Sequence, residues 1–245
     1  MHLLHFRPRL WPTLIVLPML AVLIGLGAWQ LERRAWKAEV LDRIDQRIAA
    51  PAVPLPADID DPDAWDYRHV RVTGAFLHDR ELHLLPRTLD GRAGAHVITP
   101  LRRTGEVAPG QVVLVNRGWV PTDRIDPATR PAGLVEGPVT VEGVVRVPEG
   151  RGWVQPDNEP ARNRWYWIDL QAMTAAAGAP DAPPVLIDAV EAPGDPTLPV
   201  GGQTVVDIPN NHLQYALTWF ALAAALLAIY VLYHLRRPGD PGGQS

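Results

Sequence analysis

Two stretches without a charged residue bracket the sequence, residues 10–31 and residues 213–233. At 1.5 Å per helical residue, about 20 apolar residues cross a hydrocarbon core of roughly 30 Å, so each stretch predicts a transmembrane helix. An unpaired charge in that core is expensive, and its absence from both stretches is the strongest part of the signal. Trp11 and Trp29 stand near the two ends of the first run, where interfacial aromatics anchor a span. Arg7 and Arg9 precede that run, so a cleaved leader is its rival reading. Leader cores are shorter, typically about 7–15 residues, and Leu26-Gly27-Ala28 places a bulky side chain three residues before a cut. A retained helix is therefore the expectation.

Between the runs the periodicity changes twice. Trp29, Arg33, Trp36, Val40 and Ile44 recur three to four apart, which extends the first helix over residues 32–50 with one apolar face. Pro51, Pro54 and Pro56 end it and open a linker over residues 51–65. Beyond it the period becomes two. Short β-branched runs at residues 70–73, 81–85, 97–99, 112–115, 139–145 and 185–187 are separated by Gly, Pro and Asp. Residues 66–205 thus read as an antiparallel β-rich domain, barrel- or sandwich-like. One helix is expected over residues 169–177, ended by Gly178. Pro193 to Pro196 and Pro199 to Gly202 read as a loop leading to a return segment, residues 206–212. The fold class is α+β: two transmembrane helices flanking an extramembrane β-rich domain.

Charge orients this hairpin. Two spans put both termini on one side, and Arg7, Arg9, Arg236 and Arg237 mark residues 1–9 and the tail, residues 234–245, as cytoplasmic. Arg33, Arg34 and Lys37 argue the other way, but long domains translocate largely regardless of charge. The central domain is then periplasmic or otherwise extracytoplasmic. The net charge of −4 points to no nucleic-acid partner, and the lipid bilayer is the partner the composition itself names. Cysteine is absent, which excludes disulfides, thiolate metal sites and cysteine catalysis.

The sequence also resembles a known family. Gly27-Ala28-Trp29-Gln30 followed by Arg33, Arg34, Trp36 and Lys37 is similar to the membrane-exit signature of the surfeit-locus cytochrome c oxidase assembly factors. The resemblance continues in order through Pro54-Leu55-Pro56, Tyr67-Arg68, Val72-Thr73-Gly74, Leu85-Pro86-Arg87-Thr88 and Val97-Ile98-Thr99-Pro100. It then runs through Val115 to Pro121, Asn158, Asn163-Arg164-Trp165, Gly201 to Thr204 and Asn211 to Tyr215. It implies a bacterial member of the family in the cell inner membrane. Such a protein assists haem A handling or insertion, with the oxidase catalytic subunit and haem A synthase as partners. A membrane scaffold that never touches haem is the alternative. A copper chaperone for the same oxidase is set aside, because copper delivery needs soft ligands and there is no Cys.

The candidate cofactor residues are His212, Tyr215, Trp219 and Trp29. Helical spacing places His212, Tyr215, Trp219, Leu222 and Leu226 within roughly 80° of arc. An imidazole above such a stripe suits a haem, whose iron takes a nitrogen ligand while the ring buries apolar area. His212 as an interfacial anchor, with Asn210 and Asn211 capping the helix, is the other reading of position alone. The resemblance implies the first, with haem A transiently on His212 and no other metal ligand. Small residues Thr218, Ala221, Ala225 and Ala228, facing Ala21, Gly25 and Ala28, are expected to form the contact between the spans. Asn116-Arg117-Gly118-Trp119 reads either as a turn exposing Arg117 and Trp119 to a partner or haem propionate, or as an ordinary strand-end turn. His69, His78, His83 and His96 lack metal-pair spacing, and His83 is expected to face solvent. No catalytic constellation stands out, so the reading is not an enzyme.

Overall fold

The structure is a computed structural model that describes residues 5–6, 8–148, 150–190, 198–203 and 210–236. In chain order its first elements are β1 (His5–Phe6), α1 (Leu10–Ala49), β2 (Val53–Pro54), α2 (Pro62–Trp65) and β3 (His69–Phe76). Then come β4 (Leu82–Leu89), β5 (Arg92–Arg103), β6 (Val112–Pro121), β7 (Val139–Arg146) and β8 (Arg164–Trp165). The last are α3 (Leu170–Ala176), β9 (Leu186–Ala189), α4 (His212–His234) and β10 (Leu235–Arg236). Two compact units result. Residues 1–43 with 207–245 make one, and Ile44–Val206 the other. The expected loop at 193–196 and most of the return segment lie outside the described residues.

The first unit is a pair of helices, each long and apolar enough to cross a membrane. Their large side chains are mostly exposed within the unit, as lipid-facing side chains are, and a two-residue ladder joins β1 to β10. Antiparallel contacts link the helices: Gln30 to His212, Gly27 to Phe220, Thr13 to Tyr230 and Arg9 to Tyr233. Buried Ala216 and Ala223 lie on the α4 side of this line. The small-residue faces expected to make the contact do not make it. Thr218, Ala221, Ala225 and Ala228 are exposed, as are Ala21, Gly25 and Ala28, and a Cβ on Gly25 would meet nothing within 4 Å. At Gly27, by contrast, a Cβ would stand 2.6 Å from the Phe220 ring. Both helices are rich in small residues, so spacing does not single out a face. Interhelical polar pairs do.

The second unit is a mixed β-structure that closes on itself. β3, β7, β9, β6 and β5 pair in that order, and β3 pairs again with β5, completing a ring of five strands. β4 and β8 extend the sheet from β5, and β2 extends it from β3. The sheet is not purely antiparallel: β2–β3, β4–β8 and β6–β9 are parallel. Side-chain alternation gives the sheet two cores. Val113, Val115, Leu101, Val72 and Ile187 fill the barrel interior, while Leu114, Ile98, Leu84 and Leu186 face α3, Met173 and Trp165. Burial on both sides is why residues 112–115, the first part of β6, read as an unbroken apolar run. Asp169 caps α3 by accepting from the Ala172 amide at 3.0 Å, and Gly178 follows it with φ of +67°.

Residues 51–65 are not a free linker. β2 pairs with β3, Leu55 is fully buried, and the buried Arg103 guanidinium donates to the carbonyls of Leu55 at 2.6 Å and Pro56 at 2.8 Å. Gln111 donates to the Ala57 carbonyl at 2.9 Å. Prolines without amide protons leave these carbonyls to side-chain donors, which sequence alone does not reveal.

Candidate functional site

The candidate residues fall in two places, one in each unit. In the helix pair, His212 opens α4. Its Nδ1 lies 2.6 Å from Oε1 of Gln30 on α1. A carboxamide oxygen only accepts, so Nδ1–H donates and the neutral ring keeps its lone pair on Nε2. Nε2 has no hydrogen-bond partner among the described residues. This is the arrangement that fixes the tautomer of metal-ligating histidines. Trp219 is half-buried, whereas Tyr215 and Trp29 are 56% and 53% exposed. The capping expected of Asn211 is not made: its side chain forms no cap hydrogen bond. Gln30 is the residue that sequence reading missed. It stood in the family signature, but only the pairing of the helices gives it a partner.

In the β-unit, Asn116, Arg117 and Trp119 do not form an exposed turn. All three lie inside β6, with Asn116 5% and Trp119 4% exposed. Val97 pairs with Gly118 and Ile98 with Asn116, so Arg117 is the extra residue of a β-bulge. Gly118 has φ of +115°, a conformation open to glycine. Trp119 donates Nε1–H to the Arg87 carbonyl at 3.3 Å and bridges Val200 through its backbone. Arg117 stacks over Phe76 at 4.6 Å and donates to the Gly133 carbonyl. Burial and neighbouring Arg130 push its pKa down to about 10, while Glu81 opposes them. Asn116 and Trp119 are thus buried and Arg117 half-buried within the strand.

Asn116 belongs instead to a buried polar chain. It donates to Asp188 at 2.9 Å and reaches His96 Nδ1 at 3.4 Å, while its own Oδ1 accepts from the Gly118 amide at 3.1 Å. Asp188 also faces Arg146, whose Nη1 lies 4.0 Å from Oδ2. Burial, then Arg87, pushes the His96 pKa down to about 4, so the ring is neutral at pH 7. His83 does not face solvent as expected. Its side chain is 15% exposed, and Nε2 lies 2.8 Å from Glu81. Strand β8, which pairs with β4 beside it, supplies the cover. Among the described residues no group of three or more His, Asp or Glu could hold a metal ion.

Several residues that carried the family resemblance prove to be scaffold. Asn163 donates to the Glu81 carbonyl at 2.8 Å and accepts from Trp165 Nε1 at 3.1 Å, with its backbone at φ +52°. Asn158 accepts from the amides of Tyr166 at 2.8 Å and Trp167 at 3.3 Å.

The sequence model of the SURF1 family matches residues 17–224. Human surfeit locus protein 1 is 39% identical across 94% of this chain and 78% of its own length. The mouse protein of that name is 40% identical, over 91% and 75% respectively. A SURF1-like protein of Monosiga brevicollis is 41% identical over 89% of this chain and 85% of its own. The matched span takes in both α1 from its second turn and the start of α4, as well as the whole β-unit. This chain belongs to the SURF1 family.

Proposed function

We propose that the chain is a non-catalytic assembly factor for haem-copper cytochrome c oxidase that holds haem A on His212 on its way to the catalytic subunit. The observation that carries this reading is the Gln30–His212 pair. It commits Nδ1 to the carboxamide and leaves the Nε2 lone pair able to hold an iron, beside aromatic side chains that the helix pair leaves uncovered. The donor set suits haem. A single imidazole with apolar and aromatic neighbours is a poor site for a bare divalent ion but adequate for an iron already held by four ring nitrogens. When bound, the group supplies only an open iron coordination position and a large apolar face. Gln30 orients the imidazole, His212 would hold the iron, and Tyr215, Trp219 and Trp29 would offer ring contact. Haem A synthase and the oxidase catalytic subunit are the partners this role requires.

The test is haem A content per protein, by pyridine haemochrome, after coexpression with haem A synthesis. His212→Ala should reach the membrane at the wild-type level, since it removes one interhelical hydrogen bond, worth about 0.6–2 kcal/mol. Its haem content should collapse. Gln30→Leu should weaken retention roughly tenfold, the usual effect of losing a ligand's orienting partner. Equal content in wild type and His212→Ala retires the ligand, and no haem in either favours a scaffold.

In this reading the protein sits in the inner membrane of a bacterium, with both termini cytoplasmic and the β-unit periplasmic. Reporter fusions after residue 245 and within the exposed residues 135–138 should therefore report opposite faces. The same face for both would refute the hairpin.

A further inference from the structure

We propose that the β-unit carries a binding site for a small organic carboxylate, in a cleft of about 470 Å³ where Arg87 and Trp167 converge with His96. The proposal does not depend on the haem reading.

Two side chains of the cleft keep donor capacity that the described residues do not use. Arg87 follows the β4 bulge. Among the described residues its guanidinium makes one hydrogen bond, from Nη1 to the adjacent Pro86 carbonyl at 2.8 Å, and no ion pair with a carboxylate. Burial nevertheless lowers its pKa, so a cation has been drawn partly out of water without a counter-charge. The second donor is Trp167 Nε1, which is buried and has no hydrogen-bond partner among the described residues. Asn158 fixes this residue from both sides, accepting from its amide at 3.3 Å and donating to its carbonyl at 3.2 Å. Both residues line one cleft, and a buried cation without a counter-charge beside an unmatched buried donor asks for an acceptor that brings a negative charge.

The other lining groups do not supply it. Among the described residues Asp188 is the one carboxylate on the wall, and Asn116 and Arg146 already hold it. Arg146 is engaged in turn by Asp66 at 3.6 Å and by the Tyr67 ring at 4.5 Å. Those charges offset one another, so the positive charge of Arg87 dominates. His96 is neutral there, which leaves it a hydrogen-bonding group that adds no second cation. The remaining wall includes Leu84, Ile168 and Leu186, so the ligand has an apolar body behind its carboxylate. The volume falls within the range of small-molecule sites, about 300–1,000 Å³. Guanidinium and indole N–H groups together match the two oxygens of one carboxylate.

The experiment uses the full chain in zwitterionic nanodiscs with ¹⁵N-labelled tryptophan. The Trp167 indole resonance is assigned by its loss in Trp167→Phe. Titration with 2-naphthoate should shift that resonance, while neutral 2-naphthamide should not. Arg87→Gln should weaken the naphthoate response about tenfold or more, and Arg87→Lys, which keeps the charge, should retain part of it. Spectral dispersion of the other tryptophans reports whether each variant is folded. The proposal is overturned if naphthoate leaves Trp167 unmoved up to its solubility limit. Equal response to the amide overturns it too, as does a folded Arg87→Gln that binds like wild type.

Discussion

Replacing Glu81 by alanine should destabilise the β-unit by about 3–5 kcal/mol, a large share of the roughly 5–15 kcal/mol that holds an ordinary domain. Glu81 and Arg130 form an ion pair with side chains 4% and 2% exposed. His83 adds a contact at 2.8 Å to the same carboxylate oxygen. Such a pair gains little over a well-packed apolar substitute, but removing one partner strands the other in low dielectric. Here the stranded charge would be doubled, because Arg117 also draws on Glu81 against repulsion from Arg130. Arg130 Nε donates to the Arg124 carbonyl at 3.1 Å, and Arg117 holds the Gly133 carbonyl, so the turns over residues 122–133 depend on this centre. Urea unfolding of residues 44–206 measures the loss, and limited proteolysis should locate new cleavage in those turns. Glu81→Gln should do nearly as much harm, since the charge and not the volume is at issue. The double variant Glu81→Leu/Arg130→Met should recover a large part of the stability. A loss below about 1 kcal/mol in Glu81→Ala would show the pair to be dispensable.

Local pattern reached some of this fold and stopped where pairing became non-local. The uncharged runs and period-two segments are properties of neighbours in sequence, and they located α1, α4 and most strands. Closure of the ring is different. It depends on β3 meeting β5 and on the four-residue β9 inserting between β7 and β6, and neither partner announces the other. The same limit explains the helix face. Alanines and glycines occur at suitable intervals on several sides of both spans, whereas Gln30 and His212 are 182 residues apart and become a pair only when the helices align. His83 alternates with leucines and so read as solvent-facing. Its cover comes from β8, a two-residue strand with no detectable period.

The candidate site divides along similar lines. His212 was legible because its chemistry is scarce in an apolar stretch, and family resemblance assigned it a role. The hydrogen-bond partner of its ring, Gln30, was visible only as part of a signature. Arg87 and Trp167 stand in or beside the family motifs, but what distinguishes them is that, among the described residues, Arg87 lacks a counter-charge and Trp167 Nε1 an acceptor. Satisfaction of a buried donor is a property of the fold, not of the residue. Asn116-Arg117-Gly118-Trp119 misled for a specific reason. A glycine among polar residues after a strand is the usual mark of a turn, and a bulge uses the same glycine conformation without ending the strand.

That bulge supports the second large expected effect. Gly118→Val should destabilise the β-unit by about 3 kcal/mol or more and detach residues 198–203 from β6. Two independent penalties add at this position. The φ of +115° is strained for any β-branched residue, by roughly 1–3 kcal/mol. A Cβ would also stand 1.8 Å from the Val200 carbonyl oxygen, a backbone atom that cannot rotate away. That oxygen accepts from the Trp119 amide at 2.9 Å, and the Val200 amide donates back to the Trp119 carbonyl at 2.8 Å. Relief of the clash must therefore break both hydrogen bonds and uncover Trp119, which is now 4% exposed. Gly118→Ala should show the same change in weaker form, since it carries the clash with less backbone strain. Hydrogen exchange reads the result amide by amide: Trp119 and Val200 should lose protection, while Val113 and Val115 in the barrel interior keep most of theirs. Wild-type protection at Trp119 and Val200 in Gly118→Val would mean that the strand accommodates a side chain here, and the bulge would then lose its role as the anchor of residues 198–203.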